Sequence, residues 1–175
     1  MSVIESLKSY LSIDARTDIR AALHEDHQQI LKLASEMAEE KTAARRRALF
    51  EELKPMLTVH ARVEEQVVYS AMINVRDSKD SHDLGNEGFV EHSLIDVLLE
   101  RLGKTNLAGT DAWKAHATVL KEMLEHHIQE EEDEFFEELR EHFGNEQLES
   151  MAVEFESRKA KLLGTQESAS DQRHR

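Results

Sequence analysis

Two stretches of the chain place a histidine and a glutamate four residues apart. The first is HARVE, from His60 to Glu64, and the second is HIQEE, from His127 to Glu131. On a helix this spacing puts both side chains on one face, one turn apart. Imidazole nitrogens and carboxylate oxygens on one face can bind the same metal ion. Each stretch therefore predicts half of a metal site.

Two further histidines precede these stretches, and their spacing shows that the chain repeats itself. His92 lies 65 residues after His27, and His127 lies 67 residues after His60. In both copies apolar residues alternate at steps of three and four around the histidines, as on the inner face of a helix. Two helix pairs with matching inner faces predict a four-helix bundle with approximate two-fold internal symmetry.

The histidines and the two glutamates of the repeat occupy positions that this rhythm assigns to the bundle interior. Buried carboxylates cost several kcal/mol unless they are paired or bound to a cation. A purely hydrogen-bonded cluster is the simpler alternative, but six such residues at symmetric positions favour a dinuclear metal site. The predicted metal ligands are His27, His60, Glu64, His92, His127 and Glu131.

Counting donor atoms indicates which metal such a site would suit. Four imidazoles, two bridging carboxylates and one shared oxo or hydroxo group make each ion five-coordinate. An octahedral metal then keeps an open position for a small ligand. Imidazole with carboxylate suits iron, with manganese as a second possibility, whereas structural zinc is tetrahedral and uses fewer ligands.

Composition and periodicity define the fold class. The chain has 175 residues, with six Gly, one Pro and 33% charged residues, which favours long helices. We expect an all-α, up-down-up-down four-helix bundle with an additional C-terminal helix. The predicted helices cover residues 17–40, 43–74, 88–103, 111–143 and 146–163.

Local residue types indicate where the predicted helices begin and end. Thr17 can cap the first helix. Pro55 lies inside the second, where it would kink the helix or mark a start near residue 55. The segment 76–88 is rich in Asp, Ser, Asn and Gly, so it predicts a loop. The expected domain organisation is an N-terminal extension (1–16), the bundle (17–163) and a disordered tail (164–175).

Charge and cysteine content exclude several classes of protein. A net charge of −14 disfavours nucleic acid and anionic membrane as partners. The absence of cysteine excludes disulfides, thiolate catalysis and Cys-type zinc sites, so a metal must be held by His and carboxylate. No targeting segment and no run of about 18 apolar residues is visible, and we expect a cytoplasmic protein.

The ligand order His, His-x3-Glu, His, His-x3-Glu resembles the hemerythrin-like, HHE cation-binding domain family. The likeness covers about residues 17–143, and the trailing segment is similar to the extra helix of many bacterial members. The resemblance implies a non-heme di-iron centre on the six residues named above. It also implies binding or reduction of a small oxidant: dioxygen, hydrogen peroxide or nitric oxide, in stress defence. The alternative is a non-catalytic iron, oxygen or redox sensor that acts through a protein partner.

The chain departs from the oxygen-carrying members of that family. They have a fifth histidine where this chain has Asp96, which is therefore a candidate additional ligand and a reason to doubt reversible oxygen carriage. Their last carboxylate follows the fourth-helix histidine by five residues, which corresponds to Glu132 here, or to Glu131 if counted from His126. His24, one turn before His27, is an alternative first-helix ligand.

Tyr69 is the remaining candidate, because it interrupts the symmetry of the repeat. Its counterpart in the second copy is Phe136, so only one copy carries a phenol. Next to the metals, Tyr69 would supply a proton or an electron and so act in catalysis. The simpler alternative is an aromatic residue of the hydrophobic core.

Overall fold

The computed structural model describes residues 18–104 and 108–171, with side chains described as far as Gly164. The described residues form helices and turns, with no β-strand among them. The elements are α1 (Ile19–Glu39), α2 (Ala43–Glu64), the π-helical turn π1 (Glu65–Tyr69), α3 (Ser70–Met72), α4 (Lys79–Lys104), α5 (Asp111–Glu130), the π-helical turn π2 (Glu131–Phe135), α6 (Phe136–His142) and α7 (Asn145–Asp171).

The helices assemble as the predicted bundle with an additional C-terminal helix. Helix α1 packs against α2 and α5, and α4 packs against α5 and against π1. Helix α7 lies against α1 and α2. Because each helix buries one apolar stripe, four of them enclose a shared interior, and α7 covers one side of it.

The first helix begins at Ile19, where the Asp18 side chain accepts hydrogen bonds from the backbone N–H of Arg20 (2.9 Å) and of Ala21. This carboxylate satisfies donors that the first turn leaves free. The predicted cap Thr17 and the predicted extension 1–16 lie outside the described residues.

Helix α2 runs from Ala43 through Pro55 to Glu64 without a break, so the predicted start near residue 55 is wrong. The predicted loop 76–88 is also wrong over most of its length, because α4 begins at Lys79. Ser78 accounts for the early start, since its Oγ accepts a hydrogen bond from the backbone N–H of Ser81 at 3.1 Å.

Two glycines that suggested a loop instead allow α4 to approach its neighbours closely. A Cβ added at Gly85 would lie 2.8 Å from Cγ2 of Ile73, and one at Gly88 would lie 2.6 Å from Cζ of Tyr69. Neither distance is tolerated between carbon atoms. Gly88 therefore provides the space that the Tyr69 ring fills.

The last helix is longer than the sequence predicts. Helix α7 continues to Asp171, so the predicted helix end at residue 163 is wrong. Residues 172–175 lie outside the described part. In the part of the chain that is described, no helix has the length and apolar content needed to cross a membrane.

The hydrophobic core is divided into two clusters. One contains residues from the second half of α1 and the first half of α5, such as Ile30 and Leu120. The other lies around Tyr69, Phe135 and Phe155. The histidines and glutamates of the repeat belong to neither cluster, although they are buried. They therefore form a polar layer within the bundle.

Arg46 anchors the connections at one end of the bundle. Its side chain is 5% exposed and donates hydrogen bonds to the carbonyl oxygens of Glu40 (2.6 Å), Lys41 (3.1 Å) and Ala108 (2.8 Å). We expect Arg46→Met to lower the free energy of unfolding by about 3 kcal/mol, because it leaves three carbonyls without their donor.

The matched control is Arg45→Met, the same substitution at an exposed neighbour. It should change the free energy of unfolding by less than about 0.5 kcal/mol. Urea unfolding measures both values, and equal effects of the two variants would contradict the anchoring role of Arg46.

Candidate metal centre

The polar layer is a cage of six residues, each between 0% and 3% exposed. They come from α1, α2, α4, α5 and the first residue of π2, and all were predicted as ligands from the sequence. Throughout, "the cage" means His27, His60, Glu64, His92, His127 and Glu131.

The histidines aim their Nε2 atoms into the cage. In one half, Nε2 of His27 lies 3.2 Å from Oε2 of Glu131, and Nε2 of His60 lies 3.3 Å from Oε2 of Glu64. In the other half, the Nε2 atoms of His92 and His127 lie 3.1 Å apart. Four imidazole nitrogens therefore converge on the buried carboxylates.

The two glutamates belong to both halves. His27 and His60 form one group with Glu64 and Glu131, and His92 forms another with His127 and the same two glutamates. Within each group the candidate ligand atoms all lie within 4.8 Å of one another. The arrangement suits two ions bridged by two carboxylates.

Each histidine of the cage also contacts a carboxylate outside it through its Nδ1 atom. His60 contacts Asp26 at 3.1 Å, and His127 contacts Glu91 at 2.6 Å. A carboxylate on Nδ1 fixes the imidazole tautomer and leaves Nε2 free to bind a metal. We call these four residues the outer carboxylates: Asp26 on His60, Glu132 on His27, Glu65 on His92 and Glu91 on His127.

Sequence reasoning did not identify Asp26 and Glu91 as partners of the histidines. The signal was present, because an acidic residue directly precedes the histidine in both copies of the repeat. Its meaning depends on helix packing. Asp26 is next to His27 in the chain but contacts His60 on the neighbouring helix.

The π-helical turn π1 directly follows the stretch His60–Glu64, and π2 begins at Glu131, the last residue of the second stretch. In π1 the backbone N–H of Ser70 donates to the carbonyl of Glu65, five residues earlier, which widens the turn. The widened turn is associated with the inward position of Tyr69, whose side chain is fully buried. Such π turns are frequent at functional sites.

Tyr69 reaches the cage with its hydroxyl group. The phenol donates a short hydrogen bond to Glu131 and lies 3.2 Å from Nε2 of His92 and 3.4 Å from Oε2 of Glu64. Burial raises the pKa of Tyr69 well above its ordinary value, and the negative charges of Glu131 and, to a lesser extent, Glu64 raise it further. The phenol therefore stays protonated at neutral pH and remains a donor.

Other candidates lie outside the cage. The prediction of Asp96 as an additional ligand is corrected, because its side chain is 41% exposed and forms an ion pair with Arg62 rather than joining the cage. His24 is 53% exposed and contacts Glu132 at 2.9 Å, so it touches an outer carboxylate instead of replacing His27.

Electrostatics favour protons on the imidazoles of His60 and His127 when no metal is bound. Burial alone would lower the pKa of His60, but Glu64 and Asp26 outweigh it and raise that pKa to about 10. Burial would also lower the pKa of His127, but nearby carboxylates, chiefly Glu131, raise it to about 9. A cation that enters must displace these protons.

Two buried polar atoms of the cage indicate whether its residues fit a metal ion. Nε2 of His27 and Oε2 of Glu131 are fully buried and lie 3.2 Å apart, but this contact lacks hydrogen-bond geometry and neither atom has a hydrogen-bond partner among the described residues. Buried polar atoms without partners are rare and cost free energy. A cation bound by both atoms would remove that cost, so the residues present fit a metal ion.

Comparison with known proteins supports the same assignment. The family model described as Hemerythrin HHE cation binding domain matches residues 18–139, a range that contains the whole cage, and confirms the predicted resemblance. A DNA nickase from Nostoc sp. is 26% identical over 145 residues, which cover 83% of this chain and 40% of the nickase. The chain thus corresponds to less than half the length of that relative. No solved structure matches.

The pKa values give a prediction about cation binding. Below pH 9, His60 and His127 hold protons that the metal must displace, so the affinity of each half of the cage for its ion should rise about tenfold per pH unit, for one displaced proton per ion. Anaerobic calorimetry with ferrous ion between pH 6 and 8, in buffers of different ionisation enthalpy, measures affinity and proton release. An affinity that is constant or falls with pH would contradict the protonated cage.

Proposed function

The chain belongs to the hemerythrin HHE cation-binding domain family, and on that basis we propose that its cage holds two iron ions that bind or reduce a small oxidant. The observation that carries the proposal is the sharing of Glu64 and Glu131 by two pairs of histidines. Shared carboxylates would hold two ions close together, and the ions would neutralise the two buried negative charges of these carboxylates.

The donor set supports iron in particular. Each half offers two imidazoles and two carboxylates, a set that suits iron and, as a second choice, manganese. Bound iron would supply the electrons and the open positions for dioxygen, hydrogen peroxide or nitric oxide. The protein would fix the geometry and exclude competing ligands from a buried site.

Tyr69 is the residue best placed to act on a bound oxidant. Its protonated hydroxyl lies among Glu131, Glu64 and His92, inside the cage and away from solvent. We assign it the role of hydrogen-bond and proton donor to the oxidant. Phe136, its counterpart in the repeat, has no polar atom to offer.

The nickase activity of the relative is not carried over to this chain. The match covers 40% of the nickase, and a net charge of −14 opposes contact with the DNA backbone.

His60→Ala tests the metal site, because it removes one nitrogen donor from one half of the cage. We expect iron content to fall from two ions per chain to one or fewer, and peroxide consumption by the reduced protein to be lost. His116→Ala is the control, since this half-buried histidine of α5 lies outside the cage and contacts the carbonyl of Ala112 through Nδ1. Elemental analysis and a peroxide assay give the readouts. Peroxide consumption that survives in His60→Ala would contradict the cage as its origin.

Tyr69→Phe tests the proton donor, because it removes one hydroxyl and keeps the ring. We expect iron content to stay at two per chain and the rate of oxidant consumption to fall on the order of 100-fold. Stopped-flow absorbance of the ferrous protein mixed with peroxide, dioxygen or nitric oxide measures the rate and identifies the preferred oxidant. An unchanged rate with all three would remove Tyr69 from the chemistry.

A further inference from the structure

The C-terminal helix α7 reaches the cage from one side only. Phe155 packs edge-on against the ring of His60, with ring centroids 5.9 Å apart. One turn later, Lys159 is buried, with a side chain 9% exposed. A buried ammonium group is uncommon and requires a specific partner.

The partner of Lys159 is the outer carboxylate of His60. Nζ of Lys159 donates to Oδ1 of Asp26 at 2.7 Å, and Nδ1 of His60 contacts Oδ2 of the same carboxylate at 3.1 Å. Glu156 is a second acceptor for the ammonium group at 3.0 Å. A continuous chain of contacts therefore links α7 to a residue of the cage.

The corresponding contact in the other copy has a different electrostatic environment. Glu91 contacts Nδ1 of His127 at 2.6 Å, shorter than the distance from Asp26 to His60. Glu91 also lies beside the acidic side chain of Glu130 and the exposed imidazole of His126. One outer carboxylate thus has a buried cation as its neighbour, and the other has partly exposed side chains that include an anion.

The remaining two outer carboxylates do not reproduce the buried ion pair. Glu65 pairs with Arg62, whose side chain is 35% exposed, and Glu132 contacts His24, which is 53% exposed. Water screens charges at such positions. Lys159 and Asp26 are both under 10% exposed, so their attraction is screened least.

The strength of an outer carboxylate determines how good a metal ligand its histidine is. An ammonium group bound to Asp26 competes for the negative charge that would otherwise polarise the His60 ring. We propose that Lys159 is a positioning residue that acts through Asp26 to weaken His60 as a donor. The half of the cage formed by His27 and His60 then binds its ion less tightly than the half formed by His92 and His127.

This inference rests on the proposed two-iron site, and its test separates the two. Ferrous ion is titrated anaerobically into the full chain and followed by calorimetry. The unmodified protein should bind two ions in steps that differ about tenfold in affinity. In Lys159→Met the weaker step should strengthen to within about threefold of the tighter one, while the tighter step stays unchanged. Lys159→Arg should restore the original separation.

Matched variants distinguish this role from a merely structural one. Lys161→Met makes the same change at an exposed position of α7 and should keep both steps. Asp26→Asn removes the link, so adding Lys159→Met to it should not change the separation further. The comparison of Asp26→Asn with the double variant also tests the proposal if Lys159→Met alone does not fold because Asp26 has lost its ammonium partner.

The possible outcomes lead to different conclusions. Equal affinities in the unmodified protein, or a separation that survives in Lys159→Met as it does in Lys161→Met, would overturn the role of Lys159 and leave the two-iron site in place. An effect of Lys159→Met that is as large in the Asp26→Asn background would overturn the route through Asp26. An unmodified chain that binds no iron would overturn the proposed function and this inference with it.

Discussion

The burial of Glu64 and Glu131 in the middle of a helical bundle is the constraint on which the rest of the structure depends. Two carboxylates removed from water destabilise the fold unless positive charge or hydrogen-bond donors surround them. Four histidines provide those donors, and an outer carboxylate holds each of them in place. The apolar clusters on either side keep water out. A site built in this way is suited to cations.

Two departures from the internal symmetry lie at or next to the cage. Tyr69 brings a phenol to the cage, and Gly88 on α4 leaves the space for its ring. Lys159 brings a buried positive charge to the outer carboxylate of His60 alone. The duplicated frame would account for the two proposed ion positions. The residues that lack a counterpart would make those positions inequivalent.

Sequence periodicity predicted the bundle, the additional helix and the six residues that meet in the cage, because spacing along a helix determines which side chains share a face. It failed for the segment 76–88, where Gly85 and Gly88 resemble loop residues until the packing of α4 is known. It also missed Asp26, Glu91 and Lys159. Their roles arise from contacts between helices, which a single sequence does not record. For Asp96, the comparison with oxygen-carrying members of the family suggested a ligand, but the partner on the neighbouring helix is Arg62.

The most direct test of the central claim is a crystal structure of the protein loaded with ferrous ion under anaerobic conditions, with anomalous diffraction recorded at the iron edge. The account predicts two iron peaks inside the cage. Each should be bound by the Nε2 atoms of two histidines, and both by Glu64 and Glu131. A single peak, a peak outside the cage, or ligation through Nδ1 in place of Nε2 would contradict it.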